Sequence, residues 1–176
     1  LPVLRIPNIG SRYIDPSDLK YSQFTESEVE KLSLKENDLL IIRSNGSVEL
    51  VGKVAIVEKK YEGYMYAGYL IRLRVDKKRI IPSFLSYNLS SPLVRKQIEV
   101  TARSTSGVNN INSSEIKELE IVLPSLEEQQ VIVSRIEHLF GFANRLEARY
   151  HEAIRQVEQL IPAILAKAFQ GELVPQ

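Results

Sequence analysis

Two polar stretches of the chain carry the side chains with the clearest chemical use. Residues 43–53 and residues 103–112 both mix Arg or Lys with Asn, Ser and Gly. Arg can donate two hydrogen bonds to the edge of a guanine, Asn can pair with the edge of an adenine, and hydroxyl and backbone N–H groups suit phosphates. These residue types therefore indicate recognition of DNA. Turns also use Gly, Asn and Ser, so two ordinary turns are the alternative interpretation.

The candidates for contact with DNA come mainly from these two stretches. The first stretch supplies Arg43, Ser44, Asn45, Ser47 and Lys53. The second stretch supplies Arg103, Ser104, Thr105, Ser106, Asn109 and Asn110. Three residues near the first predicted strand could join the same surface, namely Arg5, Asn8 and Arg12.

The sequence contains no recognisable catalytic motif. It lacks the Gly-rich loops that cradle phosphates and the Asn/Asp-Pro-Pro-Tyr/Phe motif of amino-methyltransferases. The two histidines, His138 and His151, have no neighbouring set of ligands, so we expect them to be solvated surface residues. Without Cys and without a coherent carboxylate cluster, the chain is not expected to be an enzyme or to hold a metal or cofactor itself.

Short strands and short helices must position the polar stretches. Strands are predicted over residues 3–9, 38–43, 53–58, 69–75 and 119–123, and helices over residues 26–32, 80–88 and 93–102. In the 69–75 strand, Tyr69, Ile71, Leu73 and Val75 are expected on one face, with Arg72 and Arg74 on the other. Residues 44–47 are predicted to form a turn and residues 103–112 a loop, with Ser113 capping a short turn after it. Because the elements follow no strict βα alternation, residues 1–124 predict an α+β domain.

Residues 126–160 predict one long helix. Ser125 is a good N-cap, and Glu128 three residues later completes a capping-box pattern. Apolar residues then recur at alternating spacings of four and three, which defines a coiled-coil seam: Ile132, Ile136, Leu139, Ala143, Leu146, Tyr150, Ala153, Val157 and Leu160. Such a seam requires a partner helix, although an ordinary helical bundle would show the same periodicity.

The end of the chain predicts a second, shorter helix. Pro162 is expected to kink or restart the helix, because proline lacks the N–H that an interior turn needs. Residues 163–170 then read as a short helix that Gly171 ends. Residues 125–176 are therefore interpreted as a long spacer or dimerisation helix with a short C-terminal helix.

Composition permits a DNA-binding role without requiring it. Of the 176 residues, 44% are hydrophobic and 26% are charged, which is ordinary for a soluble globular protein. No apolar run approaches the roughly 20 residues of a membrane span, and the lack of Cys fits the cytoplasm. Residues 1–124 carry 18 basic and 15 acidic side chains, whereas residues 125–176 carry 5 and 7. The first part is thus mildly basic and the helical part mildly acidic.

Several motifs, in their order along the chain, resemble one known family. These are residues 3–9, the segment 34–44 with Asn37 where Gly is usual, residues 81–85, Gly107 before residues 116–123, and residues 164–175. The most specific motif is Leu-Pro-Ser-Leu-Glu-Glu-Gln (residues 123–129) followed by the heptad helix. Over essentially its whole length, the chain resembles the DNA-specificity (S) subunit of type I restriction–modification systems.

The resemblance implies a role in reading DNA without enzymatic activity. A full S subunit has two target recognition domains and two long spacer helices, and this chain is similar to one of each. It would be the C-terminal half or a natural half-length form. The domain would read one half of a bipartite site in double-stranded DNA. The paired helices would fix the spacing and dock the methyltransferase subunits, through which the restriction and translocase subunits join. S-adenosylmethionine, Mg²⁺ and ATP are expected on those partner subunits only.

The partner of the long helix and the function class both have alternatives. The helix could pair with the second half of an S subunit, or with another copy of this chain to form a two-fold dimer that reads a palindromic site. A coiled-coil scaffold or adaptor that never touches DNA is the competing function. The specificity domain of a fused methyltransferase–nuclease is a third interpretation.

Overall fold

The computed structural model of the chain describes residues 1–102 and 107–171. The chain divides into two compact units, Leu1–Val133 and Ser134–Gln176. The division falls inside the long helix, so the helix's first two turns belong to the first unit. The fold is α+β, as predicted, with small sheets followed by a long C-terminal helix.

The described part of the first unit contains short strands and helices. The strands are β1 (Pro2–Leu4), β2 (Lys20–Tyr21), β3 (Leu39–Ile42), β4 (Ser44–Asn45), β5 (Val54–Ile56), β6 (Met65–Tyr66), β7 (Leu70–Leu73) and β8 (Asn109–Asn110). The helices are α1 (Glu26–Leu32), α2 (Pro82–Leu89), α3 (Pro92–Ala102), α4 (Ser113–Lys117) and the start of α5 (Leu126–Phe169).

The central strand β3 separates two hydrophobic cores. It pairs antiparallel with β5 on one side and β7 on the other. Its four residues are all buried, because alternate side chains of a strand point to opposite faces and here both faces are covered. Leu39 and Ile41 pack in one core with α2 and α3, while Leu40 and Ile42 pack in the other core with β1. The buried strand predicted at residues 38–43 is confirmed.

The first predicted strand is shorter than expected. β1 pairs antiparallel with β2 and parallel with β6, but it ends at Leu4. Residues Ile6–Asn8 form a 3₁₀ turn instead. Pro7 has no N–H to give to a ladder, and the Asn8 side-chain oxygen accepts from the Arg5 N–H at 2.9 Å.

The predicted face of the 69–75 strand is right except at Tyr69. Ile71, Leu73 and Val75 pack against the core that holds Leu39. Tyr69 precedes β7 and is 64% exposed. The chain turns just before the strand, where the Leu70 N–H donates to the Ala67 carbonyl, so Tyr69 does not share the alternation of the strand.

The short helices lie close to where the sequence predicts them. Helix α1 begins with the Thr25–Glu28 capping box, and α2 and α3 begin at their prolines. Helix α4 is capped by Asn112 and not by Ser113, because the Asn112 side-chain oxygen accepts from the N–H groups of residues 114 and 115.

The strand predicted at residues 119–123 is wrong. The segment forms no strand. The side chain of Gln97, on α3, takes the place of a neighbouring strand: its Nε2 donates to the Glu120 carbonyl at 3.0 Å and its Oε1 accepts from the Glu120 N–H at 2.9 Å. Leu119 and Ile121 still pack against the core.

A buried glutamine ties the start of α5 to the first unit. Gln129 is 0% exposed, and its amide makes three hydrogen bonds with main-chain groups. It accepts from the Ile81 N–H at 2.8 Å and donates to the carbonyls of Arg79 and Pro124 at 3.1 and 2.9 Å. The motif Leu-Pro-Ser-Leu-Glu-Glu-Gln thus ends in a residue that joins the entry of α2 to the first turn of α5.

Helix α5 begins as predicted but does not break. The Ser125 N–H and hydroxyl donate to Glu128 at 3.0 and 2.9 Å, and these bonds hold the pKa of that carboxyl below its ordinary value. Pro162 lies inside the continuous helix, so the separate short helix predicted over residues 163–170 is wrong. A proline removes one main-chain hydrogen bond of the helix, and the residues on both sides of Pro162 remain helical. Gly171 follows with φ of +77°, the left-handed conformation expected of a helix stop.

The second unit presents the predicted seam to solvent. Its large apolar residues Leu139, Leu146, Tyr150, Val157 and Leu160 are all exposed. None of the helices within residues 1–102 and 107–171 is long and apolar enough to span a membrane.

Candidate nucleic-acid interface

The two polar stretches meet in a small ladder. β4 and β8 pair antiparallel, with Ser44 opposite Asn110 and Asn45 opposite Asn109. The Ile111 N–H donates to the Arg43 carbonyl at 2.9 Å and continues the contact. Both segments were predicted to be turn or loop, and both are instead short strands at this point. We call the surface formed by Arg43, β4 and β8 the polar ladder.

Side chains of the polar ladder divide between structural and exposed groups. Asn109 donates to the Gly46 carbonyl at 2.9 Å, and the Asn45 side-chain oxygen accepts from the Ser47 N–H at 2.9 Å. These two amides therefore shape the turn after β4. Arg43 and Asn110 are exposed, and the Arg43 Nε donates weakly to the Asn110 side-chain oxygen at 3.4 Å. Both side chains retain polar groups that can face a ligand.

Tyr69 is a neighbour of the polar ladder that the sequence did not reveal. Its carbonyl accepts from the Arg43 N–H at 2.8 Å, so the two residues lie side by side. An exposed aromatic ring can contact the methyl group of a thymine or pack on a sugar. The sequence signal was present in Gly68, which precedes Tyr69 and marks the turn that excludes it from the strand.

The loop between β4 and β5 is held from beneath by Arg95, another residue that sequence reasoning missed. Arg95 donates to the carbonyls of Val51 and Glu49 at 2.6 and 3.0 Å. Gly52 has φ of +77°, and a Cβ there would lie 2.6 Å from the Ile98 side chain. The loop therefore packs closely against α3, and Lys53 lies at the end of the loop, directly before β5. No pattern in the sequence links α3 with this loop.

Two candidates near the first strand have structural roles. Asn8 is 1% exposed, and its amide nitrogen donates to the Asp15 carbonyl at 2.9 Å. Because it is buried and hydrogen-bonded, it cannot contact DNA in this conformation, and its place among the DNA contacts is corrected. Arg5 pairs with Asp18 at 2.7 Å, and its hydrogen bond lowers the pKa of the Asp18 carboxyl.

Arg12 has an unusual backbone and is not part of the polar ladder. Its φ is +71°, and its guanidinium carbon sits 4.8 Å from the centre of the Tyr87 ring. Its N–H donates to the Val54 carbonyl at 3.0 Å, which places it beside β5. Four candidates from the second stretch lie outside the described residues: Arg103, Ser104, Thr105 and Ser106.

The described residues show no metal-binding cluster. Within residues 1–102 and 107–171, no three His, Asp or Glu side chains are grouped so that they could hold an ion. His138 and His151 are exposed on α5, which confirms their prediction as surface residues.

Comparison with known proteins identifies the family. A profile of the type I restriction modification DNA specificity domain matches residues 2–156, which is most of the chain. The chain belongs to this type I specificity family. The resemblance that its motifs suggested is thereby confirmed.

Two relatives in the specificity family match most of this chain. The type I restriction enzyme EcoKI specificity subunit of Escherichia coli K12 is 36% identical over 176 residues, which is 99% of this chain and 38% of the relative. The StySPI specificity subunit of Salmonella potsdam is 39% identical over 151 residues, 85% of this chain and 32% of the relative. This chain therefore spans 32–38% of the length of these two relatives.

Solved structures of this family share the fold. The HsdS subunit of Thermoanaerobacter tengcongensis superposes with a TM-score of 0.72 at 22% identity, over 94% of this chain and 42% of that one. A chain from a type I R-M system, solved to explain its complex assembly and conformational transition, gives a TM-score of 0.70 at 23% identity, over 98% and 39%.

Proposed function

We propose that the chain is the DNA-reading part of a type I specificity subunit and recognises one half of a bipartite site in double-stranded DNA. The observation that carries the proposal is the polar ladder, which joins two stretches about 65 residues apart in sequence into one surface. Membership of the specificity family supports it. Arg43 and Asn110 are the proposed base contacts, and Ser44, Asn45, Ser47 and Asn109 shape the surface around them.

Helix α5 is proposed to hold this reading unit in a larger assembly. Its exposed seam suits a second long helix, from the other half of a specificity subunit or from a copy of this chain. The helix pair would fix the distance between two half-sites, as dimer geometry does in other DNA-binding proteins. The same pair would dock the methyltransferase subunits, and the restriction and translocase subunits would join through them.

The chemistry is proposed to reside on those partner subunits. S-adenosylmethionine, Mg²⁺ and ATP would bind there, and this chain would contribute recognition alone. Since its proposed ligand is cellular DNA and it contains no Cys, the cytoplasm is the proposed compartment.

The scaffold alternative is disfavoured by the relatives and by the polar ladder. A scaffold would need the seam of α5 but would have no use for an exposed Arg beside a pair of Asn residues. The fused methyltransferase–nuclease alternative shares the DNA role, and it differs in having no separate methyltransferase gene beside it.

Methylome sequencing tests the proposal. The chain is expressed with its methyltransferase subunit in cells that lack other adenine methylation, and genomic DNA is sequenced for methylated adenine. A new bipartite motif that disappears when the chain is omitted is the expected result. A methyltransferase that fails to co-purify with the chain, together with an unmethylated genome, would contradict it.

A further inference from the structure

A cleft with a positive lining lies beside the polar ladder. Its volume is about 410 Å³, and its polar lining comes from Ser11, Arg12, Glu49, Lys53, Ser90 and Arg95. Three cationic side chains and one acidic side chain therefore line the cleft. Two hydroxyl groups add neutral donors of the kind that bind phosphate oxygens.

Arg95 and Lys53 differ in how far their charged groups are available to a ligand in this cleft. Arg95 is committed to the loop carbonyls of Val51 and Glu49 and to Glu99 at 3.4 Å, and its side chain is 18% exposed. It contributes charge but cannot reach outward. Lys53 is half-buried and makes no ion pair with a described residue. Its ammonium group is the one in the cleft that is best able to bind an incoming anion.

The backbone around the cleft is held in uncommon conformations. Arg12 adopts φ of +71° although it is not a glycine, and Gly52, which directly precedes Lys53, adopts +77°. A non-glycine residue in this region is strained, and such strain concentrates at ligand clamps. The Arg12 guanidinium is supported against the Tyr87 ring, at 4.8 Å from its centre. The strain at Arg12 thus accompanies a side chain that lines the cleft.

The cleft and the polar ladder are adjacent through the main chain. The Ile42 N–H donates to the Lys53 carbonyl at 3.0 Å, and the Gly52 N–H donates to the Ile42 carbonyl at 2.8 Å. Arg43 follows Ile42 directly. Paired strands lie about 5 Å apart, so the main chains of Arg43 and Lys53 are close together.

We propose that this cleft binds a backbone phosphate of the DNA duplex. Lys53 contacts the phosphate, Arg12 is the second contact, and Arg95 positions the loop and strengthens the positive field. The proposal rests on the DNA-reading function proposed above and adds to it a division of labour. The polar ladder reads sequence, while the cleft supplies affinity without sequence preference.

Lys53→Gln is the direct test, with Lys31→Gln on α1 as its matched control. Lys31 is exposed and outside the cleft, so the control removes the same charge elsewhere. Affinity of the purified full chain for a duplex is measured at several salt concentrations. Each neutralised phosphate contributes about 0.9 to the slope of log K against log salt. Lys53→Gln is therefore expected to flatten the slope by about one unit and to weaken preferred and random duplexes equally, while Lys53→Arg restores the wild-type slope.

The possible outcomes separate this proposal from the one on which it rests. A wild-type chain that binds no duplex contradicts the DNA-reading function itself. A wild-type chain that binds, with a Lys53→Gln slope equal to wild type, overturns the phosphate cleft alone. So does a loss confined to the preferred duplex, which would make Lys53 a base contact. Saturable binding of inorganic phosphate that Lys53→Gln abolishes, with duplex binding intact, would assign the cleft to a free anion instead.

Discussion

At the scale of single residues, the residue type predicts which chemistry a side chain can perform but not whether that side chain is exposed. Arg43 and Asn110 combine a suitable side chain with a free surface. Asn8 has an equally suitable side chain but is buried, because the turn after β1 needs its amide. Arg95 could not be found from the sequence, because its role depends on contacts with a loop that is distant in the chain. Tyr69 was missed although Gly68 marks the turn that takes it out of the strand.

Replacing Arg43 by Ala is expected to relax recognition at one base pair. Loss of a base-reading Arg costs about 1–3 kcal/mol against the preferred base and little against others. The measurement is competition between the preferred duplex and duplexes changed at one position. Arg79→Ala, which removes an exposed Arg away from the polar ladder, serves as the control. Unchanged discrimination at every position after Arg43→Ala would make Arg43 a structural residue.

At the scale of elements, the sequence predicts the strands and helices that are long enough to show a periodic pattern of apolar residues. The run Leu39–Ile42 and the helices show clear patterns and are found. β4 and β8 have two residues each, which is too few to show alternation. Their pairing could not be predicted from the sequence, because it depends on how the neighbouring strands and helices place the two segments. Residues 119–123 have the composition of a strand. The main-chain N–H and carbonyl of Glu120 are instead hydrogen-bonded by the Gln97 side chain, and not by a neighbouring strand.

Gln129→Ala is expected to destabilise the first unit by about 2–4 kcal/mol. The change leaves the Ile81 N–H and two carbonyls without their buried partner, and each unsatisfied group costs about 1–3 kcal/mol unless water enters. Chemical denaturation followed by the fluorescence of the tyrosines measures the loss. Gln130→Ala, at the exposed neighbouring position, should change stability by less than about 0.5 kcal/mol. Equal stability of the two variants would show that the buried amide is not needed.

At the scale of the whole molecule, the heptad pattern predicts a partner but cannot name it. Helix α5 keeps the seam on one face over many turns, and the structure leaves that face exposed in the single chain. The helix does not end and restart at Pro162, so exposed apolar residues continue to Ile164 and Leu165. The seam and its length can be predicted from the sequence. The partner cannot, because a second copy of the chain and the second half of a specificity subunit would offer the same complementary pattern.

Leu146→Asp is expected to abolish self-association of the chain. The wild-type chain should sediment as a dimer at micromolar concentration because the seam otherwise stays in water. Removing one Leu from each helix costs roughly 2 kcal/mol or more per site, and two sites weaken the Kd about a thousandfold. Ala148→Asp introduces the same charge off the seam and should leave the dimer intact. A strictly monomeric wild-type chain would contradict pairing between copies and would require a different partner.

Selection of duplexes from a random library tests the central claim most directly. The purified chain is mixed with a pool of random DNA duplexes at moderate salt, and the bound molecules are recovered and sequenced over several rounds. The account predicts enrichment of one short sequence, with the preference at a single position lost in Arg43→Ala and retained in Arg79→Ala. Binding that enriches no sequence, or no binding at all, would contradict the conclusion that this surface reads DNA.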